Sequence, residues 1–104
     1  IDQFKHKILL AFAGIGNPQN FFELLERNNL HIGKKIIFPD HYSFSRREIQ
    51  NILDEAEIDN YEVITTEKDY LRIQNFNFNK IKYLKTSLKI ENYEKLLNII
   101  KRLI

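Results

Sequence analysis

The sequence predicts an α/β fold, a Rossmann-like three-layer sandwich with about four mostly parallel strands alternating with helices. Two observations predict it: short apolar runs rich in strand-forming residues recur along the 104-residue chain, and a helical pattern follows each run. This alternation is typical of a parallel sheet covered by helices, because parallel strands need crossover connections. Right-handed crossovers restrict the topology further.

The first strand and helix are predicted near the amino end. The run Lys7–Ala13 is short and apolar and is followed by glycine, which is typical of a buried strand. The chain then turns at Gly14-Ile15-Gly16. Asn17 is a good N-cap residue, and Pro18 suits the first helical position, where a missing N–H has no consequence. Asn28-Asn29 is predicted to end this helix.

The second strand is predicted over Lys34–Pro39, and the helix after it has the clearest start in the chain. Ser45 and Glu48 form a capping box, and Phe44 and Ile49 are placed to form a hydrophobic staple. Apolar residues then follow the i, i+3, i+4, i+7 spacing of an amphipathic helix.

The remaining elements complete a β-α-β-α-β-α-β-α order. Tyr61–Thr65 is rich in strand formers and is predicted as the third strand. Thr66 and Asp69 make a second capping-box pattern that opens a short helix. Ile81–Leu88 is predicted as the fourth strand and Glu91–Ile104 as the closing helix.

Composition excludes several classes of protein. The chain has no cysteine, so disulfides and thiolate metal sites are excluded. A net charge of +2 is too small to indicate a nucleic-acid partner. Basic pairs at Lys34-Lys35, Arg46-Arg47 and Lys101-Arg102 favour a solvated face. The alternative is a surface that meets anionic headgroups or a phosphorylated lipid.

Three unusual loops are expected at one edge of the sheet. In a parallel sheet every β-to-α loop emerges beyond the carboxyl ends of the strands, where ligands bind. The loops here are Gly14–Pro18, Phe38–Phe44 and Thr65–Asp69, whereas the opposite connections look like ordinary polar spacers. The asymmetry indicates which edge carries the function without indicating which function it is.

The first loop permits two interpretations. Gly14, Gly16 and Asn17 could present backbone N–H groups to a phosphate at a helix N-terminus. However, Gln19 stands where a dinucleotide fingerprint needs its third glycine, and the P-loop pattern is absent from the sequence. A structural turn and helix cap is the other interpretation.

Asp40 and His41 are the candidate catalytic residues. A histidine can act as a base, or can orient a carboxylate base, near neutral pH. Because neighbouring residues seldom hydrogen-bond each other productively, a partner for His41 is expected elsewhere in the fold. The alternative is a loop histidine packed beside Tyr42 and Phe44. The histidines are scattered without i, i+4 pairing, so no metal site is expected.

The third loop also has a structural and a functional interpretation. Thr66, Glu67, Lys68 and Asp69 place three charges at a predicted helix start, where acidic residues are favoured by the helix dipole. Lys68 fits capping less well, because a cation is unfavourable near a helix N-terminus. A functional role would pair it with an acid, a phosphate or another domain.

Together the three loops resemble the C-terminal part of tetraacyldisaccharide 4'-kinases. The resemblance rests on Ala11–Pro18 followed by Phe21-Phe22, on Phe38–Phe44 and on Ile64–Asp69. It covers residues 7–74 well, and the final strand and helix match only in pattern.

The resemblance implies a kinase of lipid A biosynthesis in Gram-negative bacteria. That family transfers the γ-phosphoryl group of ATP to the 4'-hydroxyl of a tetraacylated disaccharide 1-phosphate, which yields lipid IVA. ATP and Mg²⁺ would be bound mainly by an N-terminal P-loop domain that is absent from this chain. The full-length enzyme would work at the cytoplasmic side of the inner membrane. Residues 1–104 would then be its C-terminal α/β domain, soluble, free of cofactor and inactive alone.

The resemblance also implies partners and site residues. The partners would be the N-terminal P-loop domain of the same polypeptide, the lipid A precursor and the inner membrane surface. His41 would support a catalytic aspartate of the N-terminal domain as it takes the proton from the sugar hydroxyl, and Asp40 would shape or charge the same site. The residues implied to line the interdomain cleft or bind substrate are Gly14, Gly16, Asn17, Thr66, Glu67, Lys68 and Asp69.

Two other functions remain open from the residues alone. One is a stand-alone Rossmann-like module that binds a nucleotide or anion, although the incomplete glycine fingerprint counts against it. The other is an interaction domain without a site, which would not need three distinctive loops on one edge.

Overall fold

The computed structural model describes residues 7–84. Its elements are β1 (Ile8–Ala13), α1 (Pro18–Arg27), β2 (His31–Ile37), α2 (Arg46–Asp59), β3 (Glu62–Thr66), α3 (Glu67–Ile73), a 3-10 turn (Gln74–Phe76) and β4 (Ile81–Leu84). The strands form one sheet in the order β2-β1-β3-β4, and every pairing in it is parallel. The predicted α/β fold is confirmed.

The core lies on both faces of the sheet, because β1 is buried on both sides. Leu9 of β1 belongs to one apolar cluster together with Phe22 of α1. The next residue, Leu10, points the opposite way and belongs to a second cluster with Ile49 of α2. Helices therefore cover the two faces, which gives the three predicted layers.

The predicted bounds of the second strand were wrong at both ends. The strand runs over His31–Ile37, not 34–39, and most of its residues are exposed. Its extent is set by pairing with β1, since His31 lies opposite Ile8 and Ile37 opposite Ala13. Apolar content could not show this, because β2 lies at the sheet edge and begins with His31 and Gly33 on either side of a single apolar residue.

The helix starts follow local signals, with one exception. The capping box of α2 is confirmed: the Glu48 N–H donates to Ser45 Oγ over 3.1 Å, and the Ser45 N–H donates to Glu48 Oε1 over 2.9 Å. Helix α1 begins at Pro18 as predicted, but the Asn17 side chain makes no capping hydrogen bond. The start of α1 therefore depends on the proline.

Two predictions fall partly or wholly outside the described residues. The fourth strand is observed over Ile81–Leu84, and its predicted continuation to Leu88 lies beyond them, as does the helix predicted over Glu91–Ile104. Within residues 7–84, no helix is both long and apolar enough to cross a bilayer.

Candidate functional site

The three distinctive loops meet at the carboxyl edge of the sheet, as predicted. The Phe38 N–H donates to the Ala13 carbonyl over 2.8 Å, which continues the β1–β2 pairing into the second loop. The His41 N–H donates to the Gly14 carbonyl over 3.2 Å. The Gly14 N–H in turn donates to Asp69 Oδ2 over 2.9 Å. Main-chain hydrogen bonds from Gly14 thus connect the first loop to the other two.

Asp69 is the buried centre of this arrangement, with 0% of its surface exposed. Besides the Gly14 N–H, its carboxylate accepts the Thr66 hydroxyl over 2.8 Å and Arg72 Nη1 over 3.1 Å. A buried carboxylate is tolerated only when such partners replace its hydration. Asp69 therefore lies buried below the carboxyl edge of the sheet, where its hydrogen bonds link the start of α3 to the end of β1.

Thr66 caps α3, but the capping box predicted here is only half formed. Its hydroxyl accepts the Asp69 N–H over 3.2 Å, as an N-cap side chain should. The Asp69 side chain does not return to the Thr66 backbone and reaches Gly14 instead. The reason is tertiary: Gly14 follows the last residue of β1, and packing of α3 brings its N–H within reach of the carboxylate.

Gly14 lies in a closely packed environment that leaves little room for a side chain. A Cβ placed at Gly14 would lie 3.2 Å from Asp69 Oδ1, 3.3 Å from the Pro39 carbonyl oxygen and 3.4 Å from the Phe44 ring. The Gly14 N–H is already engaged by Asp69, so it is not available to a phosphate. At this residue the structure favours the turn over the anion cradle.

Arg72 is the site residue that sequence reasoning missed. Its Nη1 donates to the Gly14 carbonyl over 2.8 Å and to Asp69 Oδ1 over 3.1 Å, and its Nη2 lies 3.1 Å from His41 Nδ1. The side chain is 26% exposed. One signal could have identified it: Asp69 and Arg72 are an i, i+3 pair on a short helix that opens at the loop edge.

His41 is presented to solvent on a constrained backbone. Its side chain is 82% exposed, so it is not packed into the aromatic cluster formed by Tyr42 and Phe44. Its φ of 60° lies in the left-handed region, which is uncommon for a non-glycine residue. The partner expected elsewhere in the fold is Arg72, at Nδ1. On the other side of the ring, Nε2 lies 3.8 Å from Asp40 Oδ2.

An aromatic cluster of Phe38, Tyr42 and Phe44 supports the loop that carries His41. The Phe38 and Tyr42 rings stack at 5.0 Å between centroids, and Phe38 meets Phe44 edge-on at 4.9 Å. The Tyr42 hydroxyl donates to Glu48 at the start of α2. This hydrogen bond raises the pKa of the Tyr42 phenol and lowers the pKa of the Glu48 carboxyl.

The other predicted site residues divide into two groups. Asp40 is half exposed and faces the first loop, since a Cβ at Gly16 would lie 3.4 Å from Asp40 Oδ2. Asn17 and Lys68 are exposed and Glu67 is half-buried, and within residues 7–84 none of these three side chains makes a hydrogen bond or ion pair. In the same stretch, no three side chains of metal-binding type cluster together.

The surface formed by Gly16, Asp40, His41 and Arg72 is therefore a small polar site at the carboxyl edge. It offers an imidazole, a carboxylate and a guanidinium, which suits proton handling and orientation of an anionic group. The site is open, and its rigidity comes from Asp69 and the aromatic cluster beneath it.

Comparison with known proteins identifies the family. The whole chain, residues 1–104, matches the family described as tetraacyldisaccharide-1-P 4'-kinase. The chain belongs to this family. The resemblance predicted from the three loops is confirmed, and kinase and lipid A biosynthesis are the terms that describe the family.

Individual relatives carry the same name. The chain is 44% identical over 99 residues to the tetraacyldisaccharide 4'-kinase of Pelagibacter ubique, which covers 94% of this chain and 32% of that protein. It is 43% identical over 88 residues to the Rickettsia typhi enzyme, covering 85% and 27%. It is 39% identical over 90 residues to the Rickettsia akari enzyme, covering 86% and 27%. The chain thus spans a third or less of these curated relatives. No solved structure matches it significantly.

Proposed function

We propose that this chain is the C-terminal domain of a two-domain, ATP-dependent kinase that phosphorylates the 4'-hydroxyl of tetraacyldisaccharide 1-phosphate to give lipid IVA. The chain contributes one wall of an active site between the domains and does not catalyse transfer alone. Family membership supports the reaction, and the coverage of only 27% to 32% of the relatives supports a division of the site. The observation that carries the proposal is His41, exposed at the loop edge and held by Arg72.

The remaining parts of the reaction are assigned to the rest of the enzyme. ATP and Mg²⁺ are bound mainly by an N-terminal P-loop domain, because this sequence has no P-loop pattern and the Gly14 N–H of its glycine turn is engaged by Asp69. The partners are that domain, the lipid A precursor and the cytoplasmic surface of the inner membrane. Gly16, Asn17, Glu67 and Lys68 remain candidates for the cleft wall.

Phosphoryl transfer needs positioning and charge stabilisation more than covalent chemistry from the protein. The 4'-oxygen attacks the γ-phosphorus, the bond between that phosphorus and the β–γ bridging oxygen breaks, and ADP leaves. The hydroxyl proton must go to an acceptor, and a carboxylate of the N-terminal domain takes it. His41 orients that carboxylate, and Asp40 adds negative charge beside the imidazole.

The test is the turnover of the full-length kinase carrying His41→Asn. Asparagine tolerates the left-handed backbone of residue 41, so the loop should keep its shape. We expect kcat to fall by about 10²- to 10⁴-fold, the range that proton transfer to a positioned base contributes, because the carboxylate that takes the proton loses the group that orients it. His31→Asn, at the exposed start of β2 on the opposite edge, is the matched control and should leave kcat unchanged.

A His41→Asn enzyme with near-wild-type kcat and an unchanged circular dichroism spectrum would remove His41 from the reaction. The assay is transfer of labelled phosphate from ATP to the tetraacyldisaccharide 1-phosphate.

A further inference from the structure

We propose that Arg72 is a positioning residue that fixes the tautomer and the direction of the His41 imidazole. The inference rests on the proposed function, since it assigns how His41 is prepared for its role in the interdomain site. It starts from one contact, the 3.1 Å approach of Arg72 Nη2 to His41 Nδ1.

The chemistry of this contact determines where the histidine proton lies. A guanidinium carries five N–H donors, accepts no hydrogen bond and stays protonated in proteins. His41 Nδ1 must therefore be the acceptor, so the imidazole is neutral and its single proton is on Nε2. A doubly protonated ring would turn an N–H towards Arg72 and lose the contact.

Arg72 can impose this state because it is itself held in place. Its Nη1 bridges the Gly14 carbonyl and the fully buried Asp69 carboxylate. Asp69 is tied in turn to the Gly14 N–H and to the Thr66 hydroxyl. Because the guanidinium is planar, the contacts that hold Nη1 also fix the direction in which Nη2 points. The imidazole is thus connected to the end of β1 and the start of α3 by a short series of hydrogen bonds.

The backbone of His41 is attached to the same point. Its N–H donates to the Gly14 carbonyl, which also accepts Arg72 Nη1. The Gly14 carbonyl therefore holds the main chain of His41 directly and its side chain through Arg72. The left-handed φ of 60° is consistent with a residue whose position is determined by its surroundings.

The consequence is a defined outward donor. With the proton on Nε2, the exposed side of the ring presents an N–H, and the 3.8 Å distance to Asp40 Oδ2 is too long for a hydrogen bond. This N–H can donate to a carboxylate that approaches from the N-terminal domain. That carboxylate takes the proton from the sugar hydroxyl, while His41 keeps its own proton throughout. Arg72 makes His41 an orienting donor and not the base.

Kinetics of the full-length kinase test the inference through a double-mutant cycle. Arg72→Met should lower kcat by about 10- to 100-fold, the scale expected when a catalytic group is misplaced by about 1 Å, with KM for ATP unchanged. In the His41→Asn background the same substitution should cost less than about 3-fold, because a residue that acts through His41 has nothing left to position. Arg47→Met, exposed in the first turn of α2, is the matched control and should behave as wild type.

Nuclear magnetic resonance reports the tautomer of His41, which would not change in Arg72→Met if Arg72 had only a structural role. In enzyme labelled with ¹⁵N-histidine, the His41 signals, assigned by their absence in His41→Asn, should show a pyridine-like Nδ1 and a pyrrole-like Nε2. Arg72→Met should replace this pattern with a mixture of tautomers. An unchanged single tautomer together with wild-type kcat in Arg72→Met would overturn the inference.

If loss of the cation beside buried Asp69 prevents Arg72→Met from folding, the kcat of the Arg72→Lys enzyme is the test. Lysine keeps a positive charge near Asp69 but cannot contact Gly14, Asp69 and His41 together. A folded Arg72→Lys enzyme with reduced kcat supports the inference, and one with wild-type kcat overturns it. Failure of the proposed function is separate: His41→Asn would then keep wild-type kcat whatever Arg72 variants do.

Discussion

The Asp69 carboxylate is fully buried, and three donors replace the water around it, two from residues 3 positions away in the chain and one from a residue 55 positions away. They are the Gly14 N–H, the Thr66 hydroxyl and Arg72 Nη1. Single residues of this kind determine the geometry of the loop edge. The catalytic candidates Asp40 and His41 are exposed, whereas Asp69 is buried and Arg72 is half-buried.

The first prediction at this scale concerns Asp69→Asn. The substitution keeps the shape of the side chain but removes its charge and turns an amide towards a donor. We expect a loss of about 2–3 kcal/mol in the free energy of unfolding, since a buried donor is left without its acceptor. Urea unfolding followed by circular dichroism measures it. Asp59→Asn, at the exposed end of α2, is the control, and equal effects of the two would contradict the role of Asp69.

The second prediction concerns Glu62, which lies outside the candidate site at the start of β3. Burial raises the pKa of the Glu62 carboxyl, but hydrogen bonds from Lys7 and Lys82 outweigh it, and the pKa is lowered overall. A lowered pKa in the folded protein stabilises the fold above the unfolded-state pKa. That contribution disappears as the pH falls through the folded-state value.

Glu62→Gln should therefore destabilise the chain by about 1–2 kcal/mol at neutral pH. The reason is that Lys82, which is nearly buried, would lose its carboxylate partner. The difference from wild type should shrink as the pH approaches 3. Urea unfolding at both pH values measures it. The exposed Glu57→Gln is the control. A destabilisation that is the same at both pH values would show that charge is not its cause.

At the scale of elements, the edge strand β2 is shaped by its neighbours. The register of its pairing with β1 shifts between Leu9 and Leu10, and Gly33 is the additional residue. A bulge of this kind is typical of sheet edges. A Cβ at Gly33 would lie 2.5 Å from Ile8 Cγ2 and 2.7 Å from Tyr61 Cζ, which no side chain tolerates without movement.

Gly33→Ala should accordingly cost about 1–3 kcal/mol in the free energy of unfolding, as overpacking of a tight site does. The control is Gly16→Ala, where the new Cβ would lie 3.4 Å from Asp40 Oδ2, an ordinary contact. Thermal or urea unfolding distinguishes the two variants. Equal stability of both would show that Ile8 and Tyr61 move aside without strain.

At the scale of the whole molecule, the proposal that this chain forms one wall of an interdomain site predicts that the chain is inactive alone. The isolated 104-residue chain should bind no Mg-ATP in calorimetry and transfer no phosphate, whereas the full-length enzyme should do both. The physical reason is that the sequence has no P-loop pattern and that Asp69 occupies the Gly14 N–H, one of the donors that a phosphate cradle in the first loop would use. Stoichiometric ATP binding by the isolated chain would favour a stand-alone nucleotide-binding module instead.

Sequence patterns were sufficient for most features that depend on neighbours along the chain. The exceptions are Asn17, whose side chain makes no capping hydrogen bond, and the capping box of Thr66 and Asp69, which is only half formed. Within residues 7–84, the alternation of strands and helices, the start of α1 at Pro18 and the capping box of Ser45 and Glu48 are observed as predicted. The convergence of the three loops also followed from the sequence, because parallel strands place their carboxyl ends at one edge. The candidate residues Asp40 and His41 could be named on the same basis.

The tertiary structure decided what depends on contacts between distant residues. The bounds of β2 come from pairing with β1, and the Asp69 carboxylate reaches Gly14, 55 residues away, in place of the Thr66 backbone. The contact between Arg72 and His41 joins residues 31 positions apart. Local sequence patterns do not predict such contacts, because the free energy that stabilises these contacts comes from burial and hydrogen bonding in the folded chain.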